Sequence, residues 1–263
     1  MTTTTTNNNN NTNNNNNKAS TGKPKPAPGR LGIIQSRGLG DIVIALPIAG
    51  HYHSQGWEIY WPIDEQFLSN VQNHAPWVHW IPIPVDPQGR YFYEVPLQRL
   101  KNFGCDEILP LYQHLTGYPF SEEKYFQYTS FDQYKYTRAG VPFLDKWRLK
   151  EYITRDPLEE ARVFDSLVSQ ADYCVVHLEG SDHSAEFDTT IIPETWQTIY
   201  IRPGITNSVF NWLKVIEGAQ SIICVDSCIA NMIDQLRIPG DLYFIQRSHI
   251  GLTPVLGQDW TWI

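Results

Sequence analysis

Between Leu31 and Gln246, short apolar runs alternate with stretches whose apolar residues recur every three or four positions. Short apolar runs bounded by Gly, Pro or Asp read as strands, and the longer spacing reads as helix. Leu31–Gln35 (LGIIQ) is the first strand on this reading, and Asp41–Gln55 is the helix after it, stopped by Gly56. Trp57–Pro62 gives a second strand, Phe67–His74 a short helix, Val78–Val85 a third strand and Cys105–Tyr112 a fourth. Phe131–Arg155 is aromatic and charged, without a clear period.

A second alternating set opens at Asp156-Pro157, where acidic residues in the first turns predict a helix over Leu158–Gln170. Strands follow at Tyr173–Leu178, Thr198–Arg202, Ser221–Val225 and Asp241–Gln246, with helices at Ser208–Ala219 and Asp226–Leu236. The tail beyond them, rich in Gly and Trp, carries no readable pattern. Strands alternating with helices imply mainly parallel sheets covered on both faces. The expected class is α/β, with a first domain over 30–150 and a second over 151–263, after a tail and linker over 1–29.

Composition narrows the function. Residues 1–22 are almost all Thr and Asn and have nothing to bury, so they are expected to be disordered; a Pro-rich spacer follows. The net charge of -8 lowers the expectation of a broad face for a phosphate backbone, without excluding a local basic groove. Cys105, Cys174, Cys224 and Cys228 have no second Cys/His pair near enough for a zinc knuckle, and read as reduced thiols. No apolar run approaches the ~18 residues of a membrane span, and the start lacks the apolar core of a signal peptide. A cytoplasmic location is expected.

Two turns carry the candidate chemistry. Ser36-Arg37-Gly38-Leu39-Gly40-Asp41 joins the first strand to its helix, where glycines allow close backbone approach and the helix aims free N–H groups at the strand ends. Val43 stands where a dinucleotide fingerprint needs a third glycine, and no Gly-Lys-Ser/Thr is present. Asp41 is then either a helix cap or a carboxylate facing a cleft. Val225-Asp226-Ser227-Cys228 is the second strand-to-helix turn, again either a cap or a binder of phosphate or sugar oxygens.

Gly38-Leu39-Gly40-Asp41, with Leu46-Pro47 a few residues on, resembles the opening of glycosyltransferase family 9, the heptosyltransferases of lipopolysaccharide synthesis. Gly218-Ala219, an apolar strand and then Val225-Asp226-Ser227 resemble that family's donor-binding segment. Together the motifs cover about a third of the chain. The resemblance implies a GT-B fold, two facing Rossmann-like domains, with acceptor on the N-terminal side and nucleotide sugar on the C-terminal side. It implies inverting transfer without a metal or other cofactor. Asp41 would be the general base, and Arg37, Gly38 and Gly40 would form the acceptor-side turn. Asp226 and Ser227 would hold the donor, with His177, Glu179, Gly180 and Ser181 lining it from across the site.

The chain has no Asp-x-Asp pair for a divalent metal, in keeping with that reading. Diphosphate charge must then be met by helix N-termini and cations, Arg202 first, then Lys146 and Arg148. Cys228 stands where the family has Gly, Asn231 where a His often follows, and no Lys follows Gly180-Ser181. His51 and His53 read as surface or packing residues, and His183 and His249 as cleft candidates. The aromatic stretch Tyr125–Tyr136 reads as packing or as a stacking surface. The partners implied are a nucleotide sugar and a glycan or other hydroxyl acceptor, a hydroxylated nucleobase ranking below. Two other readings stay open: a non-catalytic nucleotide-sugar module and a GT-B-fold epimerase.

Overall fold

Each strand in this chain is followed by a turn and, in most cases, a helix, so successive strands run the same way and build parallel sheets. The computed structural model describes Met1 and residues 28–84, 89–112, 129–180, 184–247 and 253–263. The Thr/Asn tract, Ser181, His183, His249 and residues 125–128 of the aromatic stretch lie outside the described residues.

The first half runs β1 (Arg30–Ile34), α1 (Leu39–Ser54), β2 (Glu58–Asp64), α2 (Glu65–Val71), β3 (Val78–Ile83), α3 (Glu94–Asn102) and β4 (Glu107–Pro110). Its four strands are all parallel, in the order β3-β2-β1-β4. Then come α4 (Phe131–Ala139) and a 3-10 segment, Phe143–Glu151. The second half runs α5 (Pro157–Leu167), β5 (Tyr173–His177), β6 (Gln197–Tyr200), α6 (Leu213–Glu217), β7 (Ser221–Val225), α7 (Cys228–Leu236), β8 (Asp241–Ile245) and β9 (Trp260–Trp262). Its five parallel strands are ordered β6-β5-β7-β8-β9.

Two α/β units with parallel sheets agree with the expected class, and the differences have local causes. Helix α4 falls where no period was legible, because Tyr134, Lys135 and Tyr136 are buried in succession and blur the pattern. Its ends are nevertheless conventional: Gln133 Oε1 accepts the Ser130 N–H at 3.1 Å, and Gly140 closes it at φ 64°. The span expected to be one helix over Ser208–Ala219 divides into a 3-10 turn, Val209–Trp212, and α6. Strand β9 forms from the unreadable tail.

Helix α1 is buried without interruption from Ile42 to Gly50, as befits a helix enclosed on several sides. Pro47 removes one rung of its ladder, and Tyr136 Oη donates to the nearby Ile44 carbonyl at 3.0 Å. α1 packs on α7, on α4 and on the 3-10 segment. One apolar cluster therefore continues from Ile33 and Ile59 in the first sheet to Val175 and Ile222 in the second. Among the described residues, no helix is long and apolar enough to cross a membrane.

Candidate active site at two facing helix N-termini

In each sheet the chain builds outward on one side and then switches to the other, and crevices form at the strand ends where it switches. The first switch lies between β1 and β4, the second between β5 and β7. Gly38-Leu39-Gly40-Asp41 follows β1, His177 ends β5, and Asp226-Ser227-Cys228 follows β7. Both motifs thus stand at switch points.

The two turns also meet. A methyl group at Gly40 would lie 3.5 Å from Cys228 N and 3.6 Å from Asn231 Nδ2. The N-terminus of α1 therefore opposes that of α7, and both helices bring their positive dipole ends to the same junction, which favours an anion.

Asp41 is not a helix cap. Gly38 is the N-cap of α1, at φ 78°, and makes no side-chain bond there; Asp41 is the third helical residue. Its Oδ1 lies 2.9 Å from Lys135 Nζ, on a carboxylate whose side chain is 36% exposed while that of Lys135 is 2% exposed. Its Oδ2 lies over Gly38, within 2.5 Å of where a Cβ there would stand. Glycine is required at this position twice over, by the backbone and by the carboxylate.

The turn beneath Asp41 has its polar groups engaged. Gln35 Nε2 donates to the Arg37 carbonyl at 2.8 Å, and Trp61 Nε1 donates to the Gln35 carbonyl at 2.9 Å. The Arg37 N–H donates to Tyr112 Oη at 2.7 Å, and the Asp64 N–H to the Ser36 carbonyl at 2.9 Å. Arg37 itself pairs through Nε with buried Asp64 at 3.0 Å and lies 4.8 Å over the Tyr91 ring. Gln35, Asp64, Tyr112 and Lys135 were not legible as site residues. A Ser-x-x-Gln start and a Gly stop around 130–140 were the available signal for the helix that brings Lys135 in.

On the opposite side, Ser227 is the N-cap of α7, its backbone extended at φ -158°, so the helix begins at Cys228 rather than Asp226. Its Oγ accepts the Ala230 N–H at 3.5 Å and shares a hydrogen bond with His177 Nδ1 at 3.0 Å. Burial pushes the His177 imidazole down to about 4, so it is neutral at pH 7. Asp226 is 5% exposed, with its N–H donated to the Ile245 carbonyl. Asn231 Nδ2 donates to the Ser227 carbonyl at 2.9 Å, while its buried Oδ1 has no hydrogen-bond partner among the described residues. Desolvation pushes the Cys228 thiol up to about 11.

The remaining sequence candidates lie outside the two turns. Glu179 is exposed and bridges to Ser184, and Gly180 follows it at the end of the described stretch. Arg202 is exposed just beyond β6 and stacks on Tyr200 at 5.2 Å. Lys146 is no surface charge: it is fully buried, 2.7 Å from buried Asp132 Oδ2, and donates to the Val255 carbonyl. Arg148 is tied to Glu151. His51 bonds Asp145 at 2.9 Å and His53 stacks on Trp77, both in packing roles. Among the described residues no group of three His, Cys, Asp or Glu is arranged to hold a metal. A cleft of about 240 Å³ lined by His74, Asp156, Glu159 and Asn211 contains none of the residues in the two turns.

No protein-family model matches the chain, and no curated protein matches it in sequence. Solved structures match it in fold. A glycosyl transferase family 9 protein from Veillonella parvula superposes at a TM-score of 0.56, over 89% of this chain and 86% of its own, with 12% identity. The fold is that of a family 9 glycosyltransferase. E. coli ADP-heptose lps heptosyltransferase II gives 0.54, covering 90% of both chains, again at 12% identity. Against the longer iron-containing dodecameric glycosyltransferase TibC of enterotoxigenic E. coli, the chain spans 58% of the neighbour's length, at a TM-score of 0.49 and 12% identity.

Proposed function

We propose that the protein is a glycosyltransferase that moves a sugar from a nucleotide-diphosphate sugar to an acceptor hydroxyl, with inversion and without a metal. The observation that carries this reading is the half-exposed Asp41 carboxylate at the junction of two opposed helix N-termini. A carboxylate within reach of an acceptor hydroxyl serves as a general base, and helix N-termini serve a leaving diphosphate.

On this reading the acceptor lies against the Arg37-Gly38-Leu39-Gly40 turn and the donor against Asp226-Ser227-Cys228. Asp41 takes the acceptor proton, the acceptor oxygen attacks the anomeric carbon, and the carbon–oxygen bond to the diphosphate breaks. The departing charge is met by the first-turn amides of α7 and by Arg202. His177, neutral and bonded to Ser227, steadies the cap from β5. The likeness to an ADP-heptose-named transferase makes an ADP-sugar the first donor to try.

The donor assignment is tested by thermal stabilisation with a panel of nucleotides and nucleotide sugars, ADP-heptose included. Selective binding stabilises by about 2.7 kcal/mol at a hundredfold excess over Kd. A shift with one nucleotide sugar identifies the donor; no shift with any contradicts the reading. Binding without turnover would leave a non-catalytic nucleotide-sugar module, and a changed nucleotide sugar released without acceptor would mark an epimerase.

A further inference from the structure

We propose that Lys135 is a positioning residue for Asp41, selecting which carboxylate oxygen meets the acceptor; the inference rests on the reading of Asp41 as the base. An ammonium has three N–H donors. Lys135 Nζ lies 2.9 Å from Asp41 Oδ1, 2.7 Å from Gln35 Oε1 and 3.2 Å from the Leu111 carbonyl. All three donors are engaged, and the rings of Tyr112 and Phe131 lie within 6 Å of the nitrogen. At 2% exposure the ammonium cannot swing out to a substrate, so it acts through Asp41.

The position of Nζ explains why it falls here. Gln35 follows β1 and Leu111 follows β4, so the ammonium sits in the switch crevice of the first sheet, beneath the turn. A buried ammonium needs hydrogen-bonding partners, and breaking the set leaves an uncompensated charge. The arrangement therefore commits Asp41 Oδ1 and leaves Oδ2, above Gly38, for the acceptor. In the transfer the acceptor O–H proton passes to Oδ2 as the new carbon–oxygen bond forms. Oδ1 stays held by Lys135 throughout, so the carboxyl does not rotate away.

Turnover is followed as nucleoside diphosphate release from the nucleotide sugar selected by thermal shift, with water as acceptor. The variants are Lys135→Met, Asp41→Asn and the double mutant, with donor Kd and thermal midpoint measured beside kcat. The expected result is a kcat about a hundredfold lower in Lys135→Met, the scale of a small misplacement of a reacting group, with donor Kd within about threefold of the parent. In the Asp41→Asn background Lys135→Met should cost no further kcat, whereas a merely structural lysine would give additive losses. Wild-type kcat in folded Lys135→Met, with Asp41→Asn inactive, overturns the role of Lys135 and leaves the base in place. Full activity in Asp41→Asn overturns the base itself, and this inference with it. Should Lys135→Met fail to fold, Lys135→Arg enters the same cycle. A crystal structure of the folded variant reads the inference without turnover: a displaced Asp41 carboxylate supports it, and an unmoved one overturns it.

Discussion

Asp41 Oδ1 is tied to Lys135 and Oδ2 lies over Gly38, so a buried lysine and a glycine act on one carboxylate. Gly38→Ala places a Cβ 2.5 Å from Oδ2 at a φ of 78°. The backbone strain costs about 1–3 kcal/mol, and the carboxylate must move. The expected result is a lower urea midpoint with a loss of turnover larger than the loss of folded protein; unchanged turnover would contradict the geometry. His177 sets a pH dependence. Its folded value is about 4 because burial disfavours the charged form, whereas the unfolded chain takes up the proton near 6.5. Stability from this group is present above pH ~6.5 and is lost as pH falls toward 4, by about 3 kcal/mol in all. His74, also lowered by burial, adds in the same direction. His177→Asn should flatten the slope of unfolding free energy over that window by about one proton, and an unaltered slope would contradict the assignment. At this scale Gly38, Gly40, Asp41 and Ser227 were legible, because strand-Gly-helix and strand-Asp-Ser-helix turns are local. Lys135 was not: its role depends on β4 and α4 converging on β1, and no local spacing reports that.

At the scale of elements, α4, α7 and the C-terminal segment are joined by buried carboxylates. Asp132 on α4 accepts from Lys146 Nζ at 2.7 Å and from the Val255 N–H at 2.9 Å. Asp234 on α7 accepts from the Gly257 and Gln258 N–H groups and from the Trp147 and Trp260 indoles. The tail is thereby fastened to both halves, and β9 is delivered to the edge of the second sheet. Asp132→Ala leaves a buried Lys146 without its counter-charge and is expected to cost about 3–5 kcal/mol. Lys146→Met in the same chain should restore part of that loss, because the uncompensated charge is gone. Urea unfolding of both variants measures this; equal loss in the single and double mutants would contradict it. Strand β9 was illegible for the same reason: three residues carry no period, and their place comes from Asp234 and from Phe244 packing on Trp260 and Trp262. The β1–α1 and β7–α7 units, by contrast, rest on local patterning and turn chemistry.

At the scale of the whole molecule, alternating strands and helices predicted two parallel-sheet units. How closely they join was not predictable, since it depends on α1 facing α7 across Gly40. The apolar cluster that includes Ile33, Leu46, Val175 and Ile233 spans both sheets. A shared core should unfold in one cooperative step. Far-UV circular dichroism and Trp fluorescence should therefore give coincident urea curves, and two separated transitions would contradict the shared core. The same closeness places a candidate base and a candidate donor cradle at one junction, which is the basis of the proposed transfer. The most direct test is nucleoside diphosphate release from the nucleotide sugar that stabilises the protein, compared between wild type and Asp41→Asn. The account predicts release by wild type and a loss of at least about a hundredfold in the variant, the range of general-base catalysis, with donor stabilisation retained. Equal release by both would return Asp41 to a structural role and contradict the account.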